Sequence, residues 1–264
     1  MMTTKLIKDF LDELFAIDER NRLAAHNGMV IYQKPLVAIA AADDPLFESY
    51  RDPGIIGPDY IPPREWLPGA SSVVSYFMPF SKPVRESNHE PGFPSGEWLS
   101  SRIDGEVFND VVRAALADFL KSLGGEALAP VLDSRFKNFG VYSNWSERHA
   151  AYAAGLGTFG LNKSFITAAG CAGRFGSAIT SLELTPSPRP YADHTSNCPW
   201  LTIGACGACI ERCPSGAITE AGKDKSICRH YLDDVIKPRF NPLHGCGKCQ
   251  TSVPCEDGIP LADR

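Results

Sequence analysis

Eight of the nine cysteines of this 264-residue chain fall between positions 198 and 255. The N-terminal stretch 1–18 carries charges among its apolar positions, unlike an export signal, which favours a cytoplasmic location. Because cytosolic glutathione and thioredoxin keep ordinary thiols reduced, clustered cysteines are there more typical of metal ligands than of disulfides. The sequence therefore predicts two domains, a cysteine-poor body over 1–190 and a metal-binding tail over 191–264.

The segment from Cys206 to Pro214 has the spacing C-x2-C-x3-C-P, the last part of the run by which bacterial ferredoxins bind [4Fe–4S] clusters. Ile203 stands where that run has its first cysteine, which leaves Cys198 as the nearby candidate for the missing thiolate. In two-cluster ferredoxins the cysteine before the proline binds the other cluster. This crossing predicts two clusters, one held by Cys198, Cys206, Cys209 and Cys255 and one by Cys213, Cys228, Cys246 and Cys249.

Two zinc sites with four thiolates each are the alternative use of these cysteines. Zinc ribbons favour paired C-x2-C units and do not account for the Cys-Pro step. Cys171 lies outside the dense region and is predicted to be a small buried residue without a ligand role.

The body alternates between two kinds of apolar pattern. Four stretches have the apolar or β-branched content of strands: 36–41, 72–77, 127–132 and 178–185. Three have apolar residues at helical spacing: 6–15, 104–123 and 145–154. Strands that alternate with helices predict an α/β body of three layers.

Charge and hydropathy exclude several partners. The chain has 26 Lys and Arg against 31 Asp and Glu, a formal net charge of -5, which repels nucleic acid. No apolar run approaches the ~20 residues that a membrane-spanning helix needs. We therefore expect neither nucleic acid nor a membrane as partner.

Gly155, Gly157 and Gly160 form the pattern G-x-G-x-x-G. A dinucleotide-binding motif of this type follows a strand and opens a helix, whereas this one follows a helical pattern. Two interpretations remain. The glycines either end the helix or bring bare backbone close to a flat or bulky ligand.

The segment 143–160 (SNWSERHAAYAAGLGTFG), the GRFGS segment at 173–177 and the Cys-Pro-Ser-Gly-Ala-Ile unit together resemble the epoxyqueuosine reductases and their reductive-dehalogenase relatives. The resemblance covers about 63–260 and implies a nitroreductase-like, corrinoid-binding α/β body with a C-terminal two-cluster ferredoxin-like domain. It implies base-off cobalamin as a second cofactor. The candidate cofactor contacts are Gly155, Gly157, Gly160, Arg174 and Ser177; Arg174 would hold a phosphate or propionamide of a large cofactor, or would simply be solvated. The same fold also houses FMN, so a flavin is an alternative.

Two positions depart from that family. Val141 stands where epoxyqueuosine reductases have an acidic proton donor, and Leu161 where a lysine commonly follows the third glycine. The chain is also shorter than typical members, so we expect a paralogue with a different acceptor rather than the tRNA-modifying enzyme. Tyr142 is the candidate proton donor, with simple packing as its alternative role.

The sequence thus predicts an iron–sulfur oxidoreductase that passes electrons through two [4Fe–4S] clusters to cobalamin and reduces a small substrate. Its electrons would come from a low-potential donor such as ferredoxin or flavodoxin. Two alternatives stay open: electron delivery to a separate partner such as a corrinoid protein, and a flavin-containing reductase.

Overall fold

The computed structural model describes residues 2–140 and 142–260, whose helices and strands surround one central sheet. Its α-helices are α1 (Met2–Ile17), α2 (Pro45–Ser49), α3 (Pro63–Trp66), α4 (Lys82–Ser87), α5 (Gly96–Ser122), α6 (Glu147–Ala153), α7 (Pro199–Ile203), α8 (Ala208–Glu211), α9 (Lys225–Tyr231) and α10 (Lys237–Phe240). Its strands are β1 (Arg22–Leu23), β2 (Met29–Val30), β3 (Leu36–Ala41), β4 (Ser72–Pro79), β5 (Ala127–Leu128), β6 (Gly157–Phe159), β7 (Phe165–Thr167), β8 (Gly173–Thr180), β9 (Ile218–Thr219) and β10 (Gly222–Lys223).

The central sheet has the strand order β3-β4-β8-β5, and every pair in it is antiparallel. All residues of β4 are buried, and successive side chains point to opposite faces of the sheet. Val74 and Tyr76 join the core beneath α5, whereas Val73 and Phe77 join the core beneath α6. Helices therefore pack against both faces, and the mixed α/β class expected from the sequence is confirmed.

The predicted elements differ from the observed ones mainly at their ends. The strand expected at 36–41 matches β3, and the one expected at 72–77 runs on to Pro79 in β4. The helix expected from 104 begins at Gly96, because the Ser95 hydroxyl caps it by accepting from the Trp98 N–H. The strand expected over 127–132 stops at Leu128, where Pro130 starts a 3₁₀ turn.

The strand expected over 178–185 lies earlier in the chain, as β8. Its pairing with β4 runs from Gly173 opposite Pro79 to Thr180 opposite Ser72. The β-branched residues at 179, 180 and 185 favoured a strand there. The first half of β8 contains glycines, which are uncommon in strands, so the sequence did not predict it.

The cysteine-rich tail is tied to the body by buried polar contacts. The Lys248 side chain is buried and donates to the carbonyl oxygens of Asn88 (3.0 Å) and Glu90 (2.6 Å). Gly247 has a φ of 70°, and a Cβ on it would lie 2.1 Å from the ring of Trp98 in α5. The tail therefore fits directly against the start of α5.

Among the residues that the structure describes, no helix has both the length and the apolar character needed to cross a membrane.

Candidate functional site

The eight cysteines of the tail line two separate cavities. The first thiol cavity is lined by Cys198, Cys206, Cys209 and Cys255, and the second thiol cavity by Cys213, Cys228, Cys246 and Cys249. These are the two sets of four that the crossed ferredoxin spacing predicts. Each cavity brings together four soft thiol donors from distant positions, a donor set that fits an iron–sulfur cluster. Within 2–140 and 142–260, no three or more His, Cys, Asp or Glu side chains form a group that could hold a single metal ion, so the comparison made for each thiol set is with a cluster of several irons.

The local backbone around the cysteines explains why the chain needs glycine there. Cys206 and Gly207 have φ values of 89° and 82°, and Gly245 and Gly247, on either side of Cys246, have 132° and 70°. Left-handed residues in such turns direct successive N–H groups to one side and create a concave surface that favours anions. Both turns therefore suit a negatively charged cluster.

Burial disfavours the free thiolate form of several of these cysteines. Burial, reinforced by the neighbouring thiols, raises the pKa of Cys209 to about 12. Burial likewise raises the pKa of Cys249 to about 12. When a metal binds such a thiol, it displaces the thiol's proton. Metal binding at these cysteines is therefore coupled to proton release.

A third, larger cavity lies next to the thiol cavities. This central cavity has a volume of about 570 Å³, and its wall includes the rings of Tyr50, Tyr152, Phe159 and His149. Cationic side chains, among them Arg148, lie at the same cavity. A flat organic ring would find aromatic contacts here.

His149 is uncharged at neutral pH. Burial, with a further effect from the nearby Arg148, lowers the pKa of His149 to about 3. Its ring lies 4.9 Å from that of Tyr50 and 4.9 Å from that of Phe159, and its Nδ1 is 2.7 Å from the Ser146 hydroxyl. The wall of the central cavity is therefore neutral at this point.

The loop 160–163 connects β6 to β7 and touches all three cavities. Gly160 and Leu161 line the central cavity and the first thiol cavity, whereas Lys163 lines the central cavity and the second. Asn162 lines both thiol cavities, is buried, and donates from Nδ2 to the Cys249 carbonyl oxygen at 2.6 Å. One short loop of the body is thus the junction of the whole site.

Of the five residues expected to contact a cofactor, the structure brings Gly160 to the central cavity. Gly155 has a φ of 86° and ends α6, and a Cβ there would lie 2.4 Å from the Pro188 carbonyl oxygen. A Cβ on Gly157 would lie 2.1 Å from the Ile166 carbonyl oxygen. These two glycines are required by the protein's own backbone.

Ser177 and Arg174 are also placed away from the central cavity. Ser177 is fully buried, donates to Glu147 Oε2 at 2.5 Å and accepts from Trp145 Nε1 at 3.0 Å. Arg174 is 3.5 Å from the Glu106 carboxylate. Both side chains therefore have partners within the protein.

Tyr142 lines a smaller cavity beside the central one and is not part of the central cavity's wall. Its hydroxyl donates to Asp59 at 3.0 Å, and its ring stacks on Phe139 with 4.9 Å between centroids. The hydrogen bond to the Asp59 carboxylate raises the pKa of Tyr142. Tyr142 lines a cavity of about 200 Å³ that shares Arg148 and His149 with the central cavity. Val141, where the resembled family has its acid, lies outside the described residues.

Glu147 has a role that the sequence did not indicate. It stands in the first turn of α6, where an acid commonly interacts with the helix N-terminus, but its carboxylate is 3.4 Å from the buried Arg113 guanidinium of α5. Burial raises the pKa of Glu147, although Arg113 opposes that effect. Because the partner lies 34 positions earlier, no local pattern could have revealed this pair.

Comparison with known proteins supports the resemblance seen in the sequence. No family model matches the chain. The epoxyqueuosine reductase of Bacillus cereus is 26% identical over 213 residues, which are 75% of this chain and 51% of that protein. The chain spans about half the length of the curated relatives it matches.

Solved structures share the fold. An epoxyqueuosine reductase solved with an epoxyqueuosine-modified tRNA-Tyr stem loop has a TM-score of 0.54 at 20% identity, covering 98% of this chain and 68% of that one. A reductive dehalogenase, whose structure suggests a mechanism for B12-dependent dehalogenation, has a TM-score of 0.55 at 15% identity, covering 86% and 30%. At these identities the likeness shows the fold alone. Together, sequence and fold confirm that the chain resembles epoxyqueuosine reductases and reductive dehalogenases.

Proposed function

We propose that this chain is an iron–sulfur oxidoreductase that passes electrons through two [4Fe–4S] clusters to a base-off cobalamin in the central cavity and reduces a small substrate. The observation that carries the proposal is the loop 160–163, which lines both thiol cavities and the central cavity. In this proposal a three-layer, nitroreductase-like body over 1–190 carries a ferredoxin-like tail over 191–264 in the cytoplasm.

The two sets of four cysteines would hold the clusters. A bound [4Fe–4S] cluster supplies reversible one-electron chemistry. Cys206 is exposed, and so are the five residues that precede it, 201–205. A low-potential donor such as ferredoxin or flavodoxin can therefore approach the first thiol cavity closely. The second thiol cavity meets the central cavity at Arg148 and Lys163, and the first meets it at Gly160 and Leu161, so both clusters would lie beside the organic cofactor.

The central cavity would hold the organic cofactor and the substrate. A bound cobalamin supplies a strongly reducing metal centre, and the protein controls its surroundings. Gly160 offers bare backbone, and the rings of Tyr50, Tyr152 and Phe159 exclude water from a flat ring system. The neutral His149 adds no charge to this wall.

Tyr142 would donate the proton that reduction requires. A tyrosine hydroxyl keeps its proton at neutral pH, and the hydrogen bond to Asp59, which raises the pKa of Tyr142, makes it hold that proton more tightly. The small cavity beside it meets the central cavity at Arg148 and His149. The net charge of -5 disfavours nucleic acid as the acceptor, so we propose a small molecule.

Anaerobic reconstitution tests this function. We expect about eight irons per chain, since each of two clusters holds four. Titration with cob(II)alamin, followed by EPR, should remove the splitting from the axial nitrogen near one equivalent. Tyr152→Ala should weaken this binding, whereas Tyr191→Ala, which does not alter the cavity wall, should leave it unchanged.

The other outcomes separate the remaining functions. Eight irons with one bound FMN instead of cobalamin would make the chain a flavin-containing reductase. Eight irons with neither cofactor would favour electron delivery to a separate partner such as a corrinoid protein. A chain that binds zinc and no iron would refute the proposal altogether.

A further inference from the structure

Cys171 lies directly behind the first thiol cavity without lining it. It is 1% exposed, and its Sγ is 3.7 Å from Cys255 Sγ. It packs in a small apolar core that also contains Ile166 and Ile218. The proposed ligand Cys255 therefore has a second thiol as its immediate neighbour.

The backbone fixes this contact from both sides. The Cys171 N–H donates to the Cys255 carbonyl oxygen at 2.9 Å, and Gln250 Nε2 donates to the Cys171 carbonyl oxygen at 3.1 Å. Gly170 has a φ of 77°, and a Cβ on it would lie 2.2 Å from the Glu256 carbonyl oxygen. The turn before Cys171 thus fits against the segment that contains Cys255, and the distance between the two sulfurs is set by main-chain packing.

The chemistry assigns a direction to the hydrogen bond. A cysteine bound to a cluster is a thiolate, which accepts hydrogen bonds and has no proton to donate. Cys171 is surrounded by apolar side chains, which favour the uncharged thiol, and an S–H group is a weak donor. The hydrogen between the two sulfurs therefore belongs to Cys171.

We propose that Cys171 is a positioning residue that donates an S–H···S hydrogen bond to Cys255 and raises the reduction potential of the cluster in the first thiol cavity. This inference rests on the proposed function, since it requires that cluster. One-electron reduction adds negative charge to the cluster and its thiolates, so a donor to a thiolate stabilises the reduced form more than the oxidised one. The second thiol cavity has no neighbouring thiol outside its own four, because the chain's other eight cysteines are all assigned to the two cavities, and there the Ser215 hydroxyl lies 3.3 Å from Cys213 Sγ.

Cys171→Ala and Cys171→Ser in the full chain test this inference. Iron and sulfide are counted first, and both variants should keep about eight irons. A potentiometric titration with dithionite, followed by EPR of the reduced clusters, then gives both midpoint potentials. Cys171→Ala should lower one of them by ~59 mV, a tenfold shift in a one-electron equilibrium. The midpoint potential of the other cluster is the internal control. Because its hydroxyl can also donate, Cys171→Ser should keep the midpoint potential of the first cluster between those of the unmodified chain and Cys171→Ala.

The possible failures are distinguishable. Eight irons with both midpoint potentials unchanged in Cys171→Ala would overturn the hydrogen bond. About four irons in both variants would make Cys171 a ligand and would overturn it as well. Absence of iron in the unmodified chain would instead refute the proposed function, and the iron count reveals this before any potential is measured.

Discussion

Pairs of cysteine substitutions distinguish the crossed ligand sets from uncrossed ones. Cys209 and Cys255 line the first thiol cavity, whereas Cys213 lines the second. Cys209→Ala with Cys255→Ala therefore leaves two thiols in one cavity and four in the other. Cys209→Ala with Cys213→Ala leaves three in each. Both variants lack the same number of cysteines, so each is the matched control of the other.

The numbers of remaining thiols give the expected result. A cavity with two thiols should lose its cluster, while an intact set of four keeps it, so the first variant should retain about four irons and one unaltered EPR signal. In the second variant both clusters lack a ligand, and neither should keep its original signal. The assay is an iron count with EPR after anaerobic reconstitution. An unaltered signal in the second variant and none in the first would refute the crossed assignment.

Three further predictions concern the surroundings of the site. Arg113→Met should cost ~3–5 kcal/mol in urea unfolding, because it leaves the buried Glu147 carboxylate without its partner, and a loss below about 1 kcal/mol would contradict this. Gly247→Ala should lower the iron content, because the new Cβ would collide with the ring of Trp98 in α5. Gly216→Ala is the control and should keep its iron, because Gly216 has a similar φ of 67° but open space around it. The pKa of His149 is about 3 in the folded chain against an ordinary value of 6.5, so the unfolded chain binds the proton first and stability falls as the pH drops below 6.5. Between pH 6.5 and 5 this loss should reach ~1.6 kcal/mol, and His149→Gln should lack it; equal losses in both proteins would refute the assignment.

The features that the sequence predicted are those that depend on local spacing. Strands β3 and β4 were visible because buried strands are short and apolar with clear ends. The crossed ligand sets rest on the position of Cys213 before Pro214 and stay a prediction, although the four cysteines of each set line one cavity. In both cases neighbouring residues carry the information.

Other features depend on partners far along the chain. Ser177 was predicted to contact a cofactor because of its motif. Its hydroxyl instead forms hydrogen bonds with Glu147 and Trp145, about 30 positions away. Lys248 lies between Cys246 and Cys249 in the sequence, but its side chain is buried and donates to the carbonyl oxygens of Asn88 and Glu90. Such contacts arise only after the body and the tail pack together, so no spacing rule could have predicted them.

The glycine motif is best understood through the hairpin that it builds. Gly157 lies opposite Thr167 in the β6–β7 pair, and the ring of Phe159 packs edge-on against that of Phe165, with 5.0 Å between centroids. Because a side chain at 157 would collide with the facing strand, glycine lets the two strands approach closely. The closed hairpin holds loop 160–163 in place, and Asn162 ties it to Cys249. Gly155 and Gly157 therefore act by shaping the body's own backbone, Gly160 lines the central cavity, and Asn162, which follows the motif, donates to the tail.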